Sequence, residues 1–162
     1  MNAANPMRRT LIFKTSDDVL NDCLLLAGTP CTMLGTWTLA QNVRHLARGI
    51  DCFYDGFGFQ ANWFLRTFLG RFIKRRILTR GMPAGIRLPA TAARLLPPGE
   101  DADLASALEH LKASIRRLEQ EPPTQRHPYF GRMTHDEVRR LLLRHAELHL
   151  SFAVPQVATT AR

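Results

Sequence analysis

Two histidines, His145 and His149, lie four residues apart in a segment with helical periodicity. At that spacing both imidazoles project from one face of a helix, a single turn apart, and can approach one metal ion. In the zinc-protease motif HExxH a glutamate directly follows the first histidine, whereas here Glu147 stands two residues after it and points elsewhere. Because core packing also explains many such pairs, a metal site needs a third ligand.

A third ligand has to come from the other histidines, which are His45, His110, His127 and His135. His45 lies in the middle of a helical segment among apolar residues, so it must either pack against another helix or serve as a ligand. His127 precedes a proline in a loop and is the second choice. The remaining two are expected to face solvent. The pattern favours His45 modestly and leaves His127 open.

Capping boxes mark the two helices that must position these side chains. A T-x-x-Q box at 38–41 opens the helix that carries His45, and a T-x-x-E box at 134–137 opens the last helix, which carries the HxxxH pair. Two further helices are predicted over 16–28 and about 103–120, each with an apolar stripe at steps of three and four.

These elements predict an all-α fold. No segment alternates with period two, so no β-sheet is expected, and 29–36 is interpreted as a turn-rich connection. Four helices with one long crossover predict a four-helix bundle, as a single domain over 1–162 with its core at about 10–153 and a frayed tail at 155–162. No apolar run is long enough to span a membrane. The 3 scattered cysteines form no disulfide framework, which predicts reduced thiols and a cytoplasmic protein.

An extra amphipathic segment, 62–80, lies in the long crossover and is strongly basic. No acid occurs between Asp55 and Glu100, whereas that stretch holds eight Arg and Lys residues, equal to the whole net charge of +8. Large apolar residues recur on one face at helical spacing: Phe64, Leu65, Phe68, Leu69, Phe72, Ile73 and Ile77. We expect this stripe to be buried, with the helix lying as a lid across the open end of the bundle.

The lid interpretation also predicts the walls of a pocket. Phe57 and Phe59 would line it, and Arg87 would meet an anionic group of the substrate. A polar group of the His45 helix, Gln41 first, is expected near the metal ligands. Replacing Phe68 by Asp should destabilise the fold or release a dimer.

The segment LGTWTLAQNVRHLARGID resembles the second helix of the DinB/YfiT-like superfamily, with a tryptophan just before a capped helix and a histidine seven residues after Thr38. HPYFGRMTHDEVRRLLLRHAELHLSF is similar to the closing segment of that family. The agreement covers roughly residues 10–153 and is best with a bacterial branch of unassigned function. The resemblance implies a DinB-like four-helix bundle in which His45, His145 and His149 hold a divalent metal.

Three neutral imidazoles suit a borderline divalent ion such as Zn or Ni and leave coordination positions open. An open position either lowers the pKa of a bound water molecule, as in a hydrolase, or binds and deprotonates a thiol, as in a thiol S-transferase. The resemblance implies both activities. The sequence places no carboxylate as an evident general base, which slightly favours the thiol route. The expected partner is a small-molecule substrate, for which a low-molecular-weight thiol is a candidate.

The alternative is a non-catalytic binding or oligomerisation protein. In that case the segment 62–80 docks on a partner, a twin subunit or an anionic membrane. A homodimer is the favoured assembly. Nucleic acid is not expected as a partner, because no recognition-helix motif is evident and the basic residues lie beside a wide apolar face.

Overall fold

The chain is mostly helical in the part that a computed structural model describes, residues 7–85 and 103–156. The helices are α1 (Ser16–Ala27), α2 (Leu39–Asp55), α3 (Gly70–Arg80), α4 (Leu104–Gln120) and α5 (His135–Leu150). A π-helical segment, Leu65–Leu69, leads directly into α3. The expectation of a mostly helical chain is confirmed, whereas the DinB-like bundle type and the domain limits stay predictions.

Both predicted capping boxes form, and they fix the first turns of α2 and α5. The Thr38 hydroxyl accepts the N–H of Gln41 at 3.2 Å, and the Gln41 side-chain oxygen accepts the N–H of Thr38 at 2.9 Å. Thr134 and Glu137 make the same reciprocal pair at the start of α5. Each box satisfies two backbone donors that a helix start otherwise leaves without a partner.

α1, α2, α4 and α5 bury a common apolar core, in which α2 packs along α4. Its largest fully buried side chains include Leu26, Leu46, Leu111, Leu118 and Leu150. Burial of each such side chain is worth about 1.5–3 kcal/mol relative to exposure. None of the helices in the described part of the chain is long and apolar enough to cross a membrane.

Two histidines that were expected to face solvent also make contacts with a neighbouring helix. His110 Nε2 lies 2.6 Å from Asp51 Oδ2, and the Ser114 hydroxyl donates to Oδ1 of the same carboxylate at 2.7 Å. His135, at the start of α5, donates to the carbonyl oxygen of Leu118 in α4. Both residues are partly exposed, as expected, but each ring also has a polar partner across a helix interface, which the sequence did not predict.

A two-stranded antiparallel sheet joins the segment before α2 to the segment after α5, so the expectation of no β-sheet is wrong. β1 (Cys31–Met33) pairs with β2 (Ala153–Pro155), with Thr32 opposite Val154. Strands of three residues are too short to show a period-two pattern, and each finds its partner only in the folded chain. This strand pairing holds the segment that precedes α2 next to the segment that follows α5.

The apolar face of the basic segment is mostly exposed, which contradicts the expectation that it is buried. Phe64, Phe68 and Phe72 are 61%, 54% and 75% exposed, whereas Ile77 is buried at 4%. The π-helical segment explains part of this difference. It adds a residue to one turn and so breaks the register of three and four residues on which one continuous stripe depends.

Candidate metal centre

Three histidines from two helices converge in the interior of the protein. α2 contributes His45, and α5 contributes His145 and His149, which are the ligands expected from the sequence. His45 Nε2 lies 3.1 Å from His145 Nε2, and one ring nitrogen of each histidine lies within 4.8 Å of the other two. Because 100 residues separate His45 from His145, the cluster exists only when the chain is folded.

The spacing and type of these side chains fit one divalent ion. Two ring nitrogens that each bind zinc at about 2.0–2.1 Å are at most about 4.2 Å apart. The His45 and His145 nitrogens, at 3.1 Å, lie inside that limit. A set of imidazoles without thiolate or carboxylate suits zinc and nickel better than magnesium or calcium, which prefer oxygen ligands.

Asn42 orients the ring of His149. The Nδ1–H of His149 donates to Asn42 Oδ1 at 3.1 Å, while the Asn42 amide donates to the carbonyl oxygen of Thr38 at 2.9 Å. This hydrogen bond leaves the Nε2 lone pair of His149 available to an ion. A polar group of α2 thus contacts a candidate ligand, namely Asn42, while the side-chain oxygen of Gln41, the residue named first from the sequence, closes the capping box.

Trp37 packs against two of the three rings. Its ring stacks on His149 with centroids 5.5 Å apart and planes inclined by 9°, and its centroid lies 4.9 Å from that of His45. Trp37 lies between β1 and α2, so the sheet and the capping box hold it in place. The indole restricts the orientation of both imidazoles and shields them from water.

Burial keeps the imidazoles of His145 and His149 neutral. It lowers the pKa of His149 from 6.5 to about 3, with charge on His45 and Arg8 acting in the same direction. Burial also lowers the pKa of His145 well below its ordinary value, with smaller effects from the neighbouring histidines. Because metals bind the neutral imidazole, these ligands release no proton on binding an ion at neutral pH.

The three histidines line one cavity of about 770 Å³. Phe57 and Phe59, predicted as pocket residues, line it as well, and α3 contributes Ile73 and Ile77. The inner edge of α3 therefore borders the pocket, as expected for the lid, although its aromatic face points to solvent. Arg87, the expected anion-binding residue, lies outside the described residues.

The lining of this cavity is strongly apolar. Within residues 7–85 and 103–156 it contains no Asp, Glu, Lys or Arg, and its polar side chains besides the three histidines are Trp37, His127 and Tyr129. Glu147 turns away, as the sequence indicated, and its Oε1 accepts the backbone N–H of Phe13 at 2.9 Å. The described wall therefore offers no carboxylate as a general base.

His127, the second choice as a ligand, lies in the same cavity but outside the histidine triad. Its ring stacks on Phe130 with centroids 4.2 Å apart and planes inclined by 7°. Sequence reasoning placed it in a loop, correctly, but missed its burial. A histidine before a proline carries no signal of burial, because two of the rings that enclose it, Phe53 and Phe57, come from distant positions in the sequence.

Comparisons with known proteins give the family of the chain but assign no activity. No curated protein and no solved structure matches the chain. Residues 5–156, which include all three histidines, match a family described as "Protein of unknown function (DUF1569)". Since this match covers nearly the whole sequence, the chain belongs to the DUF1569 family.

Proposed function

We propose that this protein is a metal-dependent enzyme that acts on an apolar small molecule. The observation that carries the proposal is the convergence of His45, His145 and His149 on the wall of an apolar cavity. A divalent ion in such a site, zinc or nickel, supplies a Lewis acid that lowers the pKa of a bound water molecule or thiol. The free cysteines, Cys23, Cys31 and Cys52, support a cytoplasmic location.

Of the two reactions that this site supports, we favour transfer to or from a thiol. A hydrolase usually needs a group that accepts the proton of the attacking water, and no carboxylate lines the described cavity. A thiol that binds the ion would release its proton to solvent before the reaction, because the ion lowers the pKa of the thiol, so this route requires no protein base. The neutral, buried imidazoles then serve to hold the ion, and the apolar walls exclude competing water. The resemblance to the DinB/YfiT-like superfamily supports the same proposal.

A cobalt-substituted protein distinguishes the two reactions. We expect 2-phenylethanethiol, added at pH 7, to produce a saturable thiolate-to-cobalt absorption band at one equivalent per chain, because the ion lowers the pKa of the thiol. Protein with His149→Ala should show no band. A visible spectrum that titrates with pH near neutrality, without a response to thiol, would indicate a hydrolase. Absence of both responses in cobalt-loaded protein would contradict the enzyme proposal.

A second candidate function is docking on an anionic membrane, and the exposed face of the basic segment favours it. Trp63, Phe64, Phe68 and Phe72 are each more than half exposed. The same stretch contains Arg and Lys residues and no acid. Aromatic side chains beside positive charge suit the headgroup region of an anionic bilayer. A twin subunit, the assembly expected from the sequence, would bring two faces of like charge together.

Sedimentation with vesicles tests this candidate. We expect binding to vesicles that contain phosphatidylglycerol and not to pure phosphatidylcholine, with Phe68→Asp weakening it by about tenfold or more. The melting temperature should barely change, because Phe68 is 54% exposed. Leu25→Asp, which adds the same charge at a site 58% exposed on α1, is the matched control and should bind normally. Equal binding of both variants would contradict the proposal, and a dimer that only Phe68→Asp dissociates in gel filtration would identify a second copy as the partner.

A further inference from the structure

His127 lies in a tightly closed loop between α4 and α5. The backbone N–H groups of His127 and Gly131 each donate to the carbonyl oxygen of the other at 2.9 Å. Inside this loop the ring accepts two further backbone hydrogen bonds on Nδ1, from Tyr129 at 3.2 Å and from Phe130 at 3.1 Å. Because both N–H groups point at the Nδ1 lone pair, the ring hydrogen must be on Nε2.

The rest of the ring is enclosed by aromatic side chains. Phe130 stacks on it, and the centroids of Phe53 and Phe57 lie 5.8 and 5.2 Å away. Burial lowers the pKa of His127 to about 3, so the ring is neutral at physiological pH. No described residue accepts a hydrogen bond from its Nε2–H, although the ring lines the cavity.

The loop thus holds one fixed donor in an apolar wall. Nε2 of His127 is not among the buried side-chain atoms without a partner in the described residues, so its N–H is accessible from the cavity, where a ligand that supplies an acceptor can form a hydrogen bond with it. The acceptor should be uncharged, because the donor is neutral and no Lys or Arg lines the described cavity. His127 and the three candidate metal ligands line the same cavity, so the donor faces the space that a ligand beside the metal site would occupy.

We propose that the substrate is an otherwise apolar carbonyl compound, whose oxygen accepts a hydrogen bond from Nε2 of His127. This inference rests on the proposed function, because it takes the cavity beside the three histidines as the substrate site. It deepens that function by giving the class of substrate. His127 fixes the carbonyl in the cavity, while the aromatic walls bind the hydrocarbon part.

Two unreactive probes of nearly equal shape, benzophenone and diphenylmethane, test the proposal. They differ only in a carbonyl group against a methylene group. In His127→Asn the side-chain oxygen can still accept the two backbone N–H groups, but nothing replaces Nε2–H. We expect this variant to lose about fivefold in affinity for benzophenone, while its affinity for diphenylmethane stays within twofold of the original protein. Tyr129→Phe, which removes the neighbouring hydroxyl, is the control and should keep the preference.

The carbonyl stretch of bound benzophenone gives a readout that a purely structural role of His127 would not change. We expect it at lower frequency than in hexane, in the unmodified protein and in Tyr129→Phe, and at the hexane frequency in His127→Asn. A hexane-like frequency in the unmodified protein overturns the proposal, even if the variant does not fold. The proposal is also overturned if a folded His127→Asn variant loses affinity equally for both probes, or if neither probe binds the unmodified protein.

The same measurements, made on the full chain with zinc and after chelation, separate this inference from the proposed function. If the histidines bind no metal but the benzophenone preference persists, the proposed function fails and the carbonyl-binding role of His127 stands. If zinc binds and the benzophenone preference is absent, the carbonyl-binding role of His127 fails and the metal site of the proposed function stands.

Discussion

Replacing His149 by alanine is expected to lower the zinc affinity of the protein by about 10²–10⁴-fold. Zinc bound by protein side chains alone has an apparent binding free energy of about 10–16 kcal/mol. One ligand of a set of three contributes about 3–5 kcal/mol of it, and each 1.4 kcal/mol is a factor of about ten. His149 is well suited to this test because Asn42 and Trp37 already hold its ring in the metal-free protein. Binding an ion therefore costs little further side-chain conformational entropy.

Competition with a chromophoric chelator, on protein purified without a histidine tag, measures this loss. His110→Ala is the matched control, since His110 pairs with Asp51 outside the triad, and its zinc affinity should not change. Asn42→Leu keeps the shape but removes the acceptor for His149, so we expect an intermediate loss of about 10–100-fold. Zinc affinities that are equal in His149→Ala and His110→Ala would exclude a metal site at the three histidines.

The second large effect is a loss of stability in acid when the protein is free of metal. The folded-state pKa values of His127 and His149 are about 3, against 6.5 for an ordinary histidine. Below pH 6.5 the unfolded chain therefore binds protons that the folded chain does not, and folding becomes less favourable. The loss continues down to the folded-state pKa. Between pH 6.5 and pH 5 each histidine costs about 2 kcal/mol, so the pair costs about 4 kcal/mol, and His145 acts in the same direction.

Urea unfolding of the metal-free chain at pH 7 and pH 5 measures the effect. A His149→Phe variant, which keeps an aromatic ring against Trp37, should lose about 2 kcal/mol less than the original protein over this interval. His110→Gln, outside the cavity, should retain the full dependence. If the free energy of unfolding were the same at pH 7 and pH 5, the rings of His127, His145 and His149 would have to be protonated or hydrated in the folded state.

Local sequence patterns predicted the parts of this structure that depend on neighbours in the chain. The capping boxes at Thr38 and Thr134 fix where α2 and α5 begin, and the i, i+4 spacing fixes that His145 and His149 share a face. The position of His45 inside an apolar helix indicated either packing or ligation, and the resemblance to the DinB/YfiT-like superfamily implied its role as a ligand. These features follow from hydrogen bonding and periodicity within one turn or one helix.

The features that the sequence did not predict depend on contacts between distant segments. Asn42 hydrogen-bonds His149 from a different helix, a contact that the sequence pattern of α2 alone does not indicate. The aromatic stripe from Phe64 to Phe72 has the pattern of a buried face, but the π-helical segment before α3 interrupts it. The aromatic surroundings of His127 include Phe53 on α2 and Phe57 just after it, and no local sequence pattern relates these rings to the loop that carries His127.

The separation of His45 from the HxxxH pair in sequence connects metal supply with the lifetime of the protein. In the unfolded chain only His145 and His149 stay close together, and two histidines bind an ion weakly. An ion would therefore bind the native state far more tightly than the unfolded state. Mass action then adds about 2.7 kcal/mol to the free energy of unfolding when free metal is a hundred times the dissociation constant. A chain made under metal starvation populates its unfolded state about a hundred times more often and is degraded sooner by proteases that attack that state. If the three rings bind an ion as proposed, we therefore expect the abundance of the protein to follow the metal content of its surroundings.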